Sequence, residues 1–471
     1  MAEATLPAGS RLPGPAQAVL WGLRYPEFTR RLRERHGTTY SVRPGTMAPC
    51  VVTTDADAIR RLFTGDPLAK RHGNDVVRPL IDDRSIFLLD PAEHLQRRKL
   101  LLPPFHGERV RTYGELLQRL MDAEVARWRP GSTVAVLPMA QDVTIEVILQ
   151  ALLGVTDRDL RGRFRRHIDD LLFYPYGALR LRTIGRLASP VTPPRRLREA
   201  AAFASSLPTP AVMTYFPGLK QRAWWNVGTR GWWQHHDRLV ALLDEQIARA
   251  RADPALEDRD DVLALLVRAR DEDGEGLTDD ELRNDLIGLV GAGHETTAAA
   301  IAWGAVLLAH HPEVRERATA AVDDEDDAYL GALVKEVLRH RPPLPVGAVR
   351  RLDEPFPIGD QVVPPDTMVI VDAWGVHHDP ARHPEPEAFR PERFLGDAPE
   401  AYTLVPFGGG AHRCAGAALA ELEIRVALST MLRDAELTPA DRELPPPARR
   451  GIVVVPHGGG RVRVSRRRQR G

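Results

Sequence analysis

The stretch Phe407-Gly-Gly-Gly-Ala-His-Arg-Cys414-Ala-Gly416 decides how this chain is interpreted. Its glycines lack a Cβ atom, so the backbone can approach a flat ligand closely. The cysteine that follows is predicted to begin an amphipathic helix, where unpaired amide N–H groups and the helix dipole favour the thiolate. A thiolate in that position is either a metal ligand or a nucleophile. Taken alone, Cys414 would be interpreted as an inert buried thiol, because cysteine is often a core residue.

A second informative stretch is the long helix predicted from Thr278 to Ala309. Thr278 and Glu281 have the spacing of a capping box at the start of this helix. The apolar residues that follow recur at helical spacing, and the same buried stripe predicts that the Thr296 hydroxyl points into the core. Small residues at 291–293 lower helix stability, by about 1 kcal/mol for each glycine relative to alanine. A bulky group is therefore expected against this face.

The periodicity along the whole sequence predicts a mainly α fold with a small β-rich region. Further helices are predicted over 108–128, 233–252, 328–340 and 415–433. Short strand-like runs at 50–53, 362–363, 368–371, 452–455 and 462–464 predict an accessory sheet. Residues 1–24 are expected to form an irregular N-terminal extension, residues 25–465 a single domain, and residues 466–471 a disordered basic tail.

Composition excludes several classes of protein. Among 471 residues, 64 basic and 64 acidic side chains cancel, so no nucleic-acid partner is expected. The two cysteines, Cys50 and Cys414, are too few for a disulfide framework or a thiolate-rich zinc or iron–sulfur site, and a cytoplasmic location is expected. No stretch approaches the about 20 apolar residues that span a bilayer, so no membrane span is expected.

The glycine-rich loop resembles the haem-binding loop of the cytochrome P450 family, whose pattern is F-x-x-G-x-x-x-C-x-G. Phe407, Gly410, Cys414 and Gly416 occupy its four fixed positions. Three further family motifs are matched: A-G-x-[D/E]-T-T at 292–297, E-x-x-R at 336–339 and F-x-P-x-R-F at 389–394. The resemblance extends from about residue 25 to 464 and is greatest to soluble bacterial members. It implies a single-domain cytochrome P450 fold with haem b between the long helix 278–309 and the helix starting at Cys414.

The resemblance also implies roles for individual residues. Cys414 is implied to bind the haem iron, Thr296 to position dioxygen, and Glu295 to relay solvent protons. Glu336, Arg339 and Arg393 are implied to form one buried network. Positions beside the cofactor are occupied by Ala292, Phe407, Gly410 and Gly416.

Haem propionates are anions and need cationic or hydrogen-bonding partners. Candidates by motif position are His94 and Arg98 from an H-x-x-x-R pattern, His412, and Arg350. The adjacent Arg351 is an alternative to Arg350. His294, in the variable position of the A-G-x-[D/E]-T-T motif, is expected to serve packing or the surface rather than ligation.

The implied activity is that of an oxidoreductase, an O2-dependent monooxygenase acting on a lipophilic small molecule, as in bacterial secondary metabolism. Trp224, Trp225, Trp232 and Trp233 lie where the family has the lid of its substrate pocket, in a segment that fits a regular helix poorly. No flavin or nicotinamide domain is recognised, so a ferredoxin and an NAD(P)H-dependent ferredoxin reductase are expected as electron donors. Two alternatives stay open: a haem-thiolate peroxygenase or isomerase that needs no electron donor, and a non-catalytic haem-binding protein.

Overall fold

Helices form most of the fold, as the periodicity predicts. The computed structural model describes residues 4–45, 47–65, 70–74, 77, 81–173, 223–396 and 400–467. In chain order the helices are α1 (Gly14–Leu23), α2 (Tyr25–His36), α3 (Ala56–Thr64), α4 (Pro91–Leu101), α5 (Glu108–Val125), α6 (Val136–Val147), α7 (Arg158–Phe173), α8 (Ala223–Ala252), α9 (Val262–Arg268), α10 (Asp279–His310), α11 (Pro312–Asp323), α12 (Asp327–His340), α13 (Ala373–His377) and α14 (Ala417–Asp434).

The strands build small sheets at the edge of the helical body. They are β1 (Thr39–Val42), β2 (Cys50–Thr53), β3 (Lys70–His72), β4 (Thr133–Ala135), β5 (Ala348–Leu352), β6 (Phe356–Ile358), β7 (Gln361–Val363), β8 (Met368–Val371), β9 (Ala435–Pro439), β10 (Pro447–Arg450), β11 (Val453–Pro456) and β12 (Arg461–Arg467). A five-stranded sheet has the order β1-β2-β8-β5-β3, in which β2 and β8 pair in parallel and the other neighbours are antiparallel. Each of the five predicted runs overlaps a strand, but the strands belong to four separate sheets and not to one accessory sheet.

Helix α10 lies at the centre of the packing. Its start is fixed by the predicted capping box, in which the Thr278 hydroxyl accepts from the Glu281 N–H and the Glu281 carboxylate accepts from the Thr278 N–H at 2.8 Å. Residues 298–309 are all buried, because α6, α14 and β11 pack around this half of the helix. A helix that is apolar on all sides is expected only inside a core.

Four differences from the expected elements bear on the domain bounds or on the site. A helix, α1, occupies Gly14–Leu23 where an irregular extension was expected; Pro15 favours its first turn, and Trp21 packs edge-on against Tyr25 at 4.7 Å between ring centroids. Helix α8 begins ten residues before Trp233 and includes the Trp-rich segment that fits a helix poorly.

The other two differences concern the C-terminal third. Helix α14 begins at Ala417, not at Cys414. Arg466 and Arg467 belong to strand β12, and residues 468–471 lie outside the described part of the chain. Within the described residues, no helix combines the length and the apolar character that crossing a membrane requires.

Candidate haem site

Cys414 lies in a closed loop before α14 and not in the first turn of that helix. The Cys414 N–H donates to the Phe407 carbonyl at 3.0 Å, and a 3-10 turn over Gly410–His412 lies between them. The N-cap residue of α14 is Gly416, two residues further on. The prediction that Cys414 begins the helix is wrong because this hydrogen bond closes the loop first. The Cys414 side chain is exposed.

The backbone conformation and the close protein neighbours of this loop explain why it contains glycines. Gly408 and Gly410 have φ values of 64° and 66°, which side chains rarely tolerate. A Cβ atom at Gly409 would lie 2.4 Å from the Phe63 ring, and one at Gly410 would lie 2.2 Å from the Phe63 carbonyl oxygen. The expectation that these glycines admit a flat ligand is therefore replaced by close packing against α3. Space for a ligand is open at Gly416, where a Cβ atom would meet nothing within 4 Å.

Opposing effects act on the Cys414 thiol. Although Cys414 has exposed surface, protein atoms around its sulfur partly desolvate it and raise the pKa of the thiol, and this effect exceeds the lowering by the Gly416 N–H, Arg413 and Arg98. The expected lowering of the pKa at the helix start is therefore offset, and ligation of a metal ion would displace the thiol proton.

A cluster of cationic and imidazole side chains surrounds Cys414. The rings of His94 and His412 stack with centroids 3.9 Å apart, and Arg98 and Arg350 act electrostatically on both rings. Burial lowers the pKa of His94 to about 4 and that of His412 to about 2, with further lowering by Arg98 and Arg350, so both rings are neutral at pH 7. The structure thus brings together all four predicted propionate partners.

Arg351, the alternative propionate partner, lies on the opposite face of strand β5 from Arg350. Successive residues of a strand point to opposite faces. Arg350 is buried, whereas Arg351 reaches Asp366 at 3.3 Å. The geometry therefore favours Arg350 over Arg351 in the cationic cluster.

This cluster fits the anionic edge of haem b. The hydrogen bonds of Arg98 and Arg350 go to the backbone carbonyls of Arg413 and Val349, and neither has a carboxylate partner among the described residues. His94 Nδ1 is buried and has no hydrogen-bond partner in the described part of the chain. Uncompensated buried donors and charges are costly, so an anion with several acceptor oxygens is expected here. His94, Arg98, Arg350 and His412 would hold the propionates, and Cys414 would hold the iron.

The face of α10 that carries Ala292 and Thr296 is accessible. Ala292 is exposed and Thr296 is partly exposed, with its hydroxyl donating to the Ala292 carbonyl at 2.7 Å. The prediction that Thr296 continues a buried stripe is therefore wrong. The small side chains leave this face uncovered by protein, which is the arrangement expected where a bulky cofactor packs.

Glu295 points away from that face, toward α6. Its Oε1 accepts from Gln141 Nε2 at 2.5 Å, and its Oε2 is buried without a hydrogen-bond partner in the described residues. Burial raises the pKa of Glu295 to about 7, although Arg450 and Gln141 lower it. A carboxyl with this pKa both takes up and releases protons at neutral pH.

Glu336, Arg339 and Arg393 lie together in one buried network. Arg339 makes a forked ion pair with Glu336, at 2.7 Å and 2.8 Å, and Arg393 reaches the same carboxylate at 3.1 Å. The remaining Arg339 donors bond to backbone carbonyls of residues 377, 386 and 388. The network ties α12 to the chain segment that leads toward the Cys414 loop.

One titratable residue of this region was missed by sequence reasoning. Glu423, in α14, is buried and hydrogen-bonded with Thr297, the neighbour of Thr296. Burial raises the pKa of Glu423 to about 8. A signal was present in the sequence, since Glu423 and Ile424, Ala427 and Leu428 fall on one helix face, but a lone carboxyl there is ordinarily assigned to the surface.

We expect Glu423→Gln to remove a pH-dependent loss of stability. Between the ordinary glutamate pKa of 4.5 and the folded value of about 8, the native state keeps a proton that the unfolded chain has released. Stability therefore falls as pH rises through this window, by on the order of 4 kcal/mol for this group. Urea unfolding of wild type and Glu423→Gln at pH 5 and pH 9 measures the difference. The exposed Glu313→Gln is the control; equal pH dependence in all three proteins would contradict the prediction.

Comparison of the sequence with known proteins identifies one family. The Cytochrome P450 family model matches residues 17–172 and 206–464. The protein named cytochrome P450 135B1 of Mycobacterium tuberculosis is 34% identical over 471 residues, covering 98% of this chain and 91% of the relative. Cytochrome P450 137 of the same organism is 34% identical over 435 residues, covering 92% and 84%.

Solved structures show the same fold. A retinoic acid-bound cyanobacterial CYP120A1 superposes with a TM-score of 0.76 at 22% identity, covering 99% of this chain and 100% of that one. The haem domain of cytochrome P450DA superposes with a TM-score of 0.78 at 20% identity, covering 98% of both. On the family match, the relatives and the fold, this chain belongs to the cytochrome P450 family, the haem-b-binding oxidoreductases of the monooxygenase type.

Proposed function

We propose that the protein inserts one oxygen atom from O2 into a lipophilic small molecule, with electrons from a separate ferredoxin and an NAD(P)H-dependent ferredoxin reductase. The observation that carries the proposal is the pair Glu295 and Thr296, which are consecutive in α10. Glu295 is a buried carboxyl on the side toward α6, where burial raises its pKa to about 7, and Thr296 presents an accessible hydroxyl on the face that carries Ala292. Activation of O2 consumes protons as well as electrons, and this pair serves that need. A peroxide-driven enzyme or an isomerase has no such requirement.

Each residue of the site has a defined task in this proposal. When bound through a thiolate, haem supplies an iron centre whose electron density favours O–O bond cleavage. Arg98 and Arg350 neutralise the propionates, with His94 and His412 as neutral hydrogen-bond partners. The Thr296 hydroxyl, which is bonded to the Ala292 carbonyl, would hold and pass on a proton at the accessible face of α10, and Glu295 would resupply protons from the side toward α6.

A lipophilic substrate is supported by the segment 81–89, which α10 holds in place. The Ile86 N–H donates to Asp285 at 2.7 Å, and Arg97 pairs with the same carboxylate at 2.9 Å. Phe87 packs so closely on Gly288 that a Cβ atom there would lie 2.5 Å from its ring. Apolar side chains are therefore fixed beside α10. The side chains of Trp224, Trp225 and Trp232 lie outside the described part of the chain.

A separate acidic electron donor is supported by the charges around Cys414. Arg413 is exposed and Arg98 partly exposed next to this residue, so a positive patch lies on the cysteine side. Arg97 does not belong to this patch, because it is buried in ion pairs with Asp285 and Glu281. Complementary charges of this kind speed the encounter of two proteins. A cytoplasmic location fits Cys50 and Cys414, which are both free thiols.

Thr296→Ala tests the assigned proton donor. We expect the variant to bind haem normally but to release hydrogen peroxide in place of product. Product per NADPH should fall on the order of 100-fold, the lower end of what a positioned proton donor contributes. The assay uses haem-loaded protein with a plant-type ferredoxin and its NADPH-dependent reductase, on whichever compound of a lipophilic panel shifts the haem spectrum. Thr296→Ser keeps the hydroxyl and should retain most of the coupling; a Thr296→Ala variant with wild-type coupling would exclude this role.

The same assay separates the alternatives. Turnover with hydrogen peroxide, but none with reduced ferredoxin and O2, would support the peroxygenase. Spectral binding of panel compounds without product under either condition would support a haem-binding protein that does not catalyse.

A further inference from the structure

A cavity of about 290 Å³ lies on the side of α10 to which Glu295 points. Its polar lining consists of Gln141, Asp142, Arg165, Asp169, Asp170 and Arg450. The cavity is open to solvent, since the Asp142 and Asp169 side chains are about half exposed. Water therefore reaches its walls, which belong to α6, α7 and β10.

Gln141 joins this cavity to the buried carboxyl. Its Nε2 donates to Glu295 Oε1 at 2.5 Å, and its Oε1 accepts from Arg450 Nη1 at 3.2 Å. The Glu295 side chain, only 4% exposed, is thereby held behind Gln141 and does not itself line the cavity.

His294 lies between the carboxyl and the solvent-exposed wall. Its Nε2 is 3.5 Å from Glu295 Oε1 and 3.9 Å from Asp169 Oδ1. The ring is 1% exposed and its Nδ1 bonds to Thr144 Oγ1 at 3.0 Å, while Nε2 is buried with no hydrogen-bond partner in the described residues. One imidazole nitrogen is thus less than 4 Å from both carboxylates, and shortening either distance by less than about 1 Å makes a hydrogen bond through which a proton can pass. The expected packing role of His294 does not account for this arrangement.

We propose that this cavity is the entrance for the protons that reach Glu295, with His294 as the relay and Gln141 as the residue that positions the carboxyl. A proton on Asp169 moves to His294 Nε2, while the Nδ1–H stays bonded to Thr144. The same nitrogen then releases the proton to Glu295, and the imidazole returns to its neutral form. Burial, with Arg450 and Arg165, lowers the pKa of His294 to about 3, so the ring is neutral at rest and can accept the proton.

The inference rests on the proposed role of Glu295, yet it is tested without turnover. The Glu295 carboxyl is identified in the infrared spectrum of haem-loaded protein at pH 6 as the protonated C=O band that Glu295→Gln lacks. On rapid mixing with D2O, we expect the wild-type band to shift in one fast phase. His294→Asn keeps the bond to Thr144 but has no atom in place of Nε2, and it should lose this fast phase.

The matched control is His311→Asn, the same substitution at the C-cap of α10, where the ring Nδ1 bonds to the Leu307 carbonyl. It should exchange like wild type. With a plant-type ferredoxin, its NADPH-dependent reductase and O2, NADPH oxidation by His294→Asn should also slow on the order of 100-fold, with a larger D2O effect. Fast exchange in His294→Asn, or slow exchange in wild type, would overturn the proposed entrance. Normal exchange in a wild-type protein that consumes no NADPH would contradict only the monooxygenase proposal.

Discussion

Glu336→Gln is expected to destabilise the protein by about 3 to 5 kcal/mol, the cost of removing one partner from a buried ion pair. Glu336 and Arg339 are both 0% exposed, so water cannot replace the lost charge. The carboxylate also accepts from Arg393 and from the Arg390 N–H at 2.8 Å. Glutamine keeps the shape but leaves two buried guanidinium groups without a counter-charge. Because α12 is held to the segment before the Cys414 loop through this carboxylate, haem binding should weaken as well.

Urea unfolding followed by far-ultraviolet circular dichroism measures this effect, with haem retention followed in the same samples. A matched control is Glu34→Gln, which removes an exposed ion pair with Arg30 in α2, where the two side chains are 59% and 57% exposed. This control should cost less than about 0.5 kcal/mol. If Glu336→Gln unfolds at the same urea concentration as Glu34→Gln, the buried network does not stabilise the fold in the way described.

Features that depend on local sequence were predicted well. Thr278 and Glu281 fix the start of α10 because a capping box involves only residues three apart. Strands β2 and β8 have the predicted bounds because β-branched runs between turn residues identify them. The spacing of Glu336 and Arg339 allows them to pair within one helix, whereas their burial in a network with Arg393 was implied only by the family resemblance.

Features that depend on distant contacts could not be predicted. Gly409 is required because the Phe63 ring packs against it. Phe63 is more than 300 residues earlier in the chain, so the local sequence pattern around Gly409 does not reveal this contact. The burial of His294 depends on Thr144 of α6 in the same way. The helical periodicity placed Thr296 on a buried stripe because it cannot distinguish a face covered by protein from one left for a cofactor.

Replacement of Cys414 should abolish the thiolate-ligated haem and, with it, all O2-dependent activity. The cysteine is exposed beside a cationic cluster that fits propionates, and no other cysteine takes its place, since Cys50 is buried in the core at 1% exposure. In the part of the chain that the structure describes, His, Cys, Asp and Glu side chains form no group of three or more that could hold a metal ion. Cys414→Ala therefore leaves the iron without its protein sulfur, whereas Cys50→Ala, the matched control, leaves the site intact.

The assignment of Cys414 as the haem ligand is tested most directly by the absorption spectrum of the reduced protein under carbon monoxide. The spectrum is measured for wild type, Cys50→Ala and Cys414→Ala. The account predicts a strongly red-shifted Soret band in wild type and Cys50→Ala and its complete loss in Cys414→Ala. A red-shifted band that survives in Cys414→Ala would show that another residue binds the iron, and its absence from well-folded, haem-loaded wild type would contradict the assignment of this protein as a haem-thiolate enzyme.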